Sequence, residues 1–298
     1  MKQLLLAVLP IVAACGEPST PADAATNAKT LIVTAIPDNN PDQTRERQAT
    51  LSDWLSRETG LTVRFHPVAD YAAAVVALKT GQAHMAWLGG VTTVQAMQQS
   101  NGKIVPLVMR EKDRHFHSYI IASKALNAAS VQDLKGRSFT FGNVSSTSGH
   151  VMPRYLLGKE FGIVPETFFG SVAYSGNHAA TIRQVADGAV DAGAVNYVEF
   201  DQLKAQNDPL LEKLQVLWTT PDYVDYAYNV RTDLDELFGA GATAKLRDAF
   251  VGLDPQDPAD QQILKIQSAD RYVAAQAEWW EGITQVLNSD TFRALGTK

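Results

Sequence analysis

The chain of 298 residues has a single cysteine, Cys15. One cysteine can neither close a disulfide within the chain nor build a four-cysteine zinc site. Cations are not in excess: 26 Lys and Arg stand against 32 Asp and Glu, a net charge of −6. Nucleic-acid backbones are bound by clustered Lys and Arg, so the balance argues against a nucleic-acid partner. There is no Gly-x-Ser-x-Gly, no Walker-type loop and no Gly-x-Gly-x-x-Gly. The leading apolar run, Leu4–Leu9, falls well short of the roughly 20 residues that span a bilayer. Apolar material is otherwise plentiful. At 45% hydrophobic and 19% charged, the chain can bury sizeable cores, which excludes disordered and collagen-like classes. The length suggests about two domains.

The first residues read as an address. Lys2, the apolar run and then Val12-Ala13-Ala14 ahead of Cys15 have the layout of a signal peptide over residues 1–14. Val-Ala-Ala-Cys resembles the bacterial lipobox, in which the cysteine is lipidated and opens the mature chain. Residues 15–29, rich in Ala, Thr and Pro, then form a lipidated flexible tether. Without residues 1–14, 25 basic residues face 32 acidic ones, a charge of −7.

From Thr30 onward strands and helices alternate. Thr30–Ile36 reads as a strand and Asp42–Thr59 as an amphipathic helix stopped by Gly60. Leu61–Val68 is a strand, Asp70 caps a helix over Tyr71–Lys79, and His84–Leu88 is a short buried strand. The grammar repeats: strand Ser138–Phe141, helix Gly149–Phe161, strand Ser171–Tyr174, helix His178–Ala186, strand Val190–Val195. Further strands are expected at Leu214–Trp218 and Tyr226–Val230, and helices at 233–252, 258–267 and 276–287. The last of these puts Trp279, Trp280, Ile283, Val286 and Leu287 on one face, which packs against the rest of the fold. Alternation of this kind predicts an α/β architecture with mainly parallel sheets.

The chemistry concentrates at Ser145-Ser146-Thr147-Ser148, four hydroxyls between a strand and a helix with Pro153 in its first turn. First-turn amides have no partner inside a helix, and the helix dipole favours an anion there. Capping needs only one hydroxyl, so four predict an anion site with neutral donors. Two more helix starts, Asp70-Tyr71 and Asn177-His178, follow strands and so belong at the carboxyl edge where α/β proteins bind ligands. Tyr71 and His178 are candidate donors; the alternatives are a tyrosine that only packs and a histidine that is structural at its cap. His115-Phe116-His117 alternates like a strand, but nothing with metal-ligand spacing accompanies it, so no metal is expected. No nucleophile–base pair suggests an enzyme, and no cofactor is expected.

Residues 31 to about 270 resemble the periplasmic substrate-binding proteins of phosphonate and phosphite ABC importers. The resemblance is carried by Asp70-Tyr71-Ala72-Ala73, Ala86-Trp87-Leu88-Gly89, Asp133-Leu134-Lys135-Gly136, Phe139–Gly142, Ser146-Thr147-Ser148-Gly149, Gly176-Asn177-His178 and Asp191-Ala192-Gly193-Ala194. It implies a type II periplasmic binding fold: lobe I from residues 30–120 and 228–298, lobe II from 121–227, each with a mainly parallel sheet. It further implies that Ser146, Thr147 and Ser148 hold a tetrahedral oxyanion, with Tyr71, His178 and Asp225 at matching positions. Leu88 stands where phosphonate binders often carry Tyr. Val198, beside Glu199, stands where they carry an acidic group for an aminoalkyl substituent. Those departures point to a compact anion: phosphite, methylphosphonate, phosphate, or selenate, since a selenate-associated branch shares Ala35–Asp38. The implied protein is a monomeric lipoprotein of the periplasm that delivers its ligand to an ABC permease. The alternative is an oxyanion sensor that presents the ligand to a membrane histidine kinase.

Overall fold

A computed structural model describes residues 29–290 and 292. The signal peptide, Cys15 and nearly all of the tether lie outside the described residues. Eleven strands are present among those described: β1 (Thr30–Ala35), β2 (Thr62–Phe65), β3 (Met85–Leu88), β4 (Ile104–Arg110), β5 (Ser118–Ser123), β6 (Ser138–Phe141), β7 (Ser171–Tyr174), β8 (Ala192–Asn196), β9 (Leu214–Thr219), β10 (Ala227–Arg231) and β11 (Tyr272–Ala274). They form two sheets, β11-β4-β10-β3-β1-β2 and β7-β6-β8-β5-β9, with helices against them. In each sheet four strands run the same way, while β10 and β11 in the first and β5 in the second run against them. The chain changes sheet over residues 111–117 and returns over 220–226, a few residues ahead of the expected divisions after 120 and 227. These two linkers pair with each other: Phe116 and Tyr223 exchange backbone hydrogen bonds of 2.8 Å each way.

Local chemistry explains most element ends. Asn40 and Asp70 accept first-turn amides of the Pro41–Thr59 and Tyr71–Thr80 helices, a contribution of about 1 kcal/mol each. Both helices close on a left-handed glycine, Gly60 at φ 71° and Gly81 at φ 79°. The second sheet buries apolar groups on both faces by strict alternation. Ile120 packs with Phe139, Phe141 and Leu157, whereas its neighbour Ile121 packs with Ile182, Val185 and Val195.

Four segments depart from the expected pattern. The helix expected over 233–252 is two, Leu234–Phe238 and Ala242–Val251, because Gly239 and Gly241 take positive φ between them. The helix expected over 276–287 opens as a tight turn, Ala277–Trp280, before Glu281–Asn288. His115-Phe116-His117 is the end of a turn and a single bridge rather than a strand. The helix expected from Gly149 instead begins with a wide π-helical turn, Thr147–Val151, and becomes α-helical at Met152. Such π-turns recur at functional sites. The face bearing Trp280, Ile283 and Val286 is buried as expected.

Candidate functional site

The π-helical turn after β6 meets the first sheet where β3 ends in Gly89-Gly90. Ser146 and Thr147 are 2% exposed and Ser148 is fully buried. Ser146 Oγ accepts the Gly149 amide at 2.9 Å, so it caps its own turn. Thr147 Oγ1 accepts the Val91 amide at 2.9 Å, reaching into the first turn of the Gly90–Gln99 helix of the other sheet. The preceding amide, of Gly90, donates to Asp225 Oδ1 at 2.7 Å. One helix start is thus shared by a hydroxyl from one lobe and a carboxylate from a linker between lobes. Gly89 is needed there: a Cβ would lie 3.2 Å from both Asp225 Oδ1 and Thr147 Oγ1.

The linker holding Asp225 is itself fixed. Asp225 donates its amide to the Asp113 carbonyl at 2.9 Å, and its carbonyl accepts Trp280 Nε1 at 2.9 Å. The C-terminal aromatic face therefore packs and also positions this carboxylate. Burial lifts the Asp225 carboxyl to about 7, against the Gly90 amide, which favours the charged form. Its Oδ2 is buried beside the Thr147 and Ser148 hydroxyls, which favour its charged form, but no hydrogen bond of good geometry reaches it.

Two hydroxyls share that condition. Ser148 Oγ is buried with no partner, although the Ser148 carbonyl accepts Ser118 Oγ at 2.7 Å. Ser118 Oγ in turn shares a short hydrogen bond with the Tyr223 hydroxyl. Tyr71 is 2% exposed, and its hydroxyl lies beside the Ser146 hydroxyl but outside good hydrogen-bond geometry. Burial first, and then Asp38, hold that phenol well above the usual tyrosine range. It remains a neutral donor at any ordinary pH.

His178 caps the fourth side. A Cβ on Gly149 would lie 2.9 Å from Ser146 Oγ and 3.0 Å from His178 Cε1, so the two side chains flank that glycine. His178 Nδ1 accepts the Asn196 amide at 3.3 Å, which leaves the proton on Nε2. Burial lowers its pKa to about 4, so the ring is a neutral Nε2 donor. The Tyr226 hydroxyl lies 3.5 Å from that nitrogen, and Asn196 Nδ2 donates to the same hydroxyl at 3.3 Å. Across the cleft, the His178 amide donates to the Asp38 carbonyl at 3.1 Å.

The structure thus brings Tyr71, Ser146, Thr147, Ser148, His178 and Asp225 to the junction of two lobes. Leu88 ends β3 one residue before Gly89, fully buried in the apolar core of the first lobe. Sequence reasoning did not find Asp38, Asn196, Tyr226 or the Gly90 and Val91 amides. Asp38 lies three residues past β1 and Asn196 is the last residue of β8, so position at a carboxyl edge was the one available signal. Arg110, the guanidinium over the Trp87 and Tyr226 rings at 5.0 and 5.6 Å, is clasped by Asp113 through two bonds of 2.7 Å. The cradle is therefore built from neutral donors with Asp225 among them and a second carboxyl group, Asp38, beside Tyr71 and His178. Among the described residues there is no group of three or more His, Cys, Asp or Glu able to hold a metal. No described helix is long and apolar enough to cross a membrane.

Two α/β lobes joined by paired linkers, with buried donors at their junction, are the architecture of a two-lobed binding protein. Residues 33–280 match the family of ABC transporter, phosphonate, periplasmic substrate-binding proteins, and the chain belongs to that family. It is 36% identical over 267 residues to the probable ABC transporter phosphite binding protein PhnD1 of Prochlorococcus marinus (strain MIT 9301), covering 87% of this chain and 89% of the relative. The structure of that P. marinus PhnD1 in complex with methylphosphonate superposes with a TM-score of 0.83 at 35% identity, over 87% of this chain and 97% of the other. A binding protein component of an ABC phosphonate transporter from Pseudomonas aeruginosa shares the fold, with a TM-score of 0.80 at 19% identity over 91% and 90% of the chains.

Proposed function

We propose that this protein captures a small tetrahedral oxyanion of the phosphite and methylphosphonate class between its lobes and delivers it to an ABC permease. One observation carries the reading: Tyr71 Oη, Ser148 Oγ and Asp225 Oδ2, from three separate segments, are buried at the lobe junction without partners. Leaving a polar group buried and unbonded costs about 1–3 kcal/mol. Three such groups facing one junction favour a ligand that satisfies them together. Neutral donors can bind an anion without a nearby cation, provided their dipoles are fixed in a dry site. This is how a chain of net charge −6 can capture an anion. With its carboxyl near 7, Asp225 can donate to a ligand oxygen when protonated. When ionised it can accept from a protonated oxyanion instead. Either pairing suits an anion whose own acidity lies near neutrality better than a fully ionised sulfate or selenate.

The relative seen in complex with methylphosphonate supports the same ligand class, and both relatives above are named as parts of ABC transporters, which favours transport over sensing. In this reading the lobes close about the linkers at 111–117 and 220–226, the monomer is the working unit, and lipid on Cys15 holds it at the membrane. Isothermal titration of the purified protein with phosphite, methylphosphonate, phosphate, sulfate and selenate tests the assignment. Saturable binding of phosphite or methylphosphonate well ahead of sulfate and selenate is expected; preference for sulfate or selenate overturns it.

A further inference from the structure

Beside the cradle the lobes leave a second space. A cleft of about 230 Å³ is lined by Asn39, Thr44 and Arg47 of the first lobe and by Glu199, Gln202 and Leu203 of the second. It narrows toward the cradle through a throat flanked by Asp38, Arg47, Asn196 and Tyr226. Asp38 and Tyr226 are the residues that touch His178 on the cradle side, so throat and cradle share a wall.

Two cations flank this throat: Arg110, already clasped by Asp113, and Arg47, on the Pro41–Thr59 helix. The Arg47 Nε and Nη2 are buried and have no hydrogen-bond partner. Asp38 Oδ1 forms a loose ion pair with Arg47 at 4.0 Å from Nη2, beyond a hydrogen bond, and is itself buried without a hydrogen-bond partner. Nε and Nη2 form the edge of a guanidinium that meets a carboxylate two oxygens at a time. Arg110 shows that use in this protein, clasping Asp113 through Nε and Nη2 at 2.7 Å each. Glu199 does not take this place, because it is held by Asn39 across the cleft, and burial and Asp38 push its carboxyl up to about 7.

We infer that the unpartnered edge of Arg47 is a second ligand subsite, which receives a carboxylate carried on the substituent of a phosphonate whose head occupies the cradle. The inference rests on the oxyanion reading above and extends it from compact anions to phosphonocarboxylates. Asp38 Oδ1 beside the edge would accept from a donor on the same substituent. A substituent bearing only an amine leaves the Arg47 edge unmet.

Competition titration with methylphosphonate, phosphonoacetate and 2-aminoethylphosphonate tests it. Phosphonoacetate is expected to bind at least as tightly as methylphosphonate, and 2-aminoethylphosphonate more weakly than both. Arg47→Met is expected to lower the affinity of phosphonoacetate relative to methylphosphonate about tenfold or more, as loss of a charge-assisted pair implies. Arg47→Lys, which keeps the charge and loses the flat edge, recovers part of that ratio. If methylphosphonate binds and phosphonoacetate does not, the second subsite is wrong and the cradle stands. The same holds if the ratio is unmoved by Arg47→Met. If none of the three binds, both readings fall. Should either variant fail to fold, the wild-type order of the three ligands decides alone.

Discussion

Ser148→Ala and Tyr71→Phe separate a ligand cradle from ordinary buried hydrogen bonding, because ligand affinity and ligand-free stability should move in opposite directions. Neither hydroxyl makes a hydrogen bond of good geometry, and their polar neighbours, Ser146 for Tyr71 and Asp225 and Tyr223 for Ser148, are contacts weaker than that, so removing either costs little in the ligand-free protein. Relief of an unbonded polar group is worth about 1–3 kcal/mol, partly offset by the small void left behind. The expected result is an unchanged or raised melting temperature, by about 2–4 °C for each 1 kcal/mol gained. A hydrogen bond to a charged ligand contributes about 1.5–3 kcal/mol, so each variant should lose roughly 10- to 150-fold in affinity for methylphosphonate or phosphite. Ser146→Ala and Thr147→Val are the controls. Their hydroxyls accept the Gly149 and Val91 amides at 2.9 Å, so each truncation strands a buried amide and should destabilise by about 1–3 kcal/mol. Calorimetric titration and thermal melts of the four variants, with and without ligand, read both axes. Loss of ligand-free stability in Ser148→Ala and Tyr71→Phe, with unchanged affinity, would refute the reasoning.

Other perturbations follow from the same geometry. Gly149→Ala pushes a methyl to 2.9 Å from Ser146 Oγ and 3.0 Å from His178 Cε1, so it should cost about 1–3 kcal/mol in a urea melt and abolish oxyanion binding. Asp225 has a folded pKa of about 7, above its value of 3.8 when unfolded, so the folded state holds the proton more tightly. Its contribution is full below about pH 4 and is lost as pH rises through 7. Against wild type, Asp225→Asn should therefore flatten the decline in ligand-free stability between those limits; a parallel pH profile would contradict this. His150 and His178, both lowered to about 4 by burial, act oppositely, adding stability as pH rises from 4 to 6.5, so only the difference between variants is diagnostic. Arg154 is fully buried, bonds His150 Nε2 at 3.0 Å and pairs with Glu166, so Arg154→Met should destabilise by about 3 kcal/mol in chemical denaturation.

Much of this arrangement is legible in the residues. The Asp70 cap, the Ser-Thr-Ser run and the Asn177-His178 start are local signals, and all three reach the lobe junction. What was hidden is what the lobes do to each other. The pairing of Thr147 with the Val91 amide spans 56 positions, and that of Asp225 with the Gly90 amide spans 135. No periodicity encodes such contacts. The Gly90–Gln99 helix escaped notice because it opens on two glycines. Strand β4 escaped because its continuous apolar run Ile104–Met109 lacks alternation. The hydroxyl run predicted an anion at free helix amides. In the structure the Gly149 amide is already capped by Ser146, and the unmet groups are side chains from three segments. The return of β10 from the far end of the chain, which seats Asp225 beside Gly89, could be drawn only from the resemblance to a known family.

The central claim is a place as well as a ligand, and a crystal structure of the protein grown with methylphosphonate tests both. The account predicts the phosphonyl group at the lobe junction, its oxygens within hydrogen-bond distance of Tyr71 Oη, Ser148 Oγ and Asp225 Oδ2. A phosphonyl group seated elsewhere, such as on Arg47 in the outer cleft with those three atoms still unbonded, would contradict it.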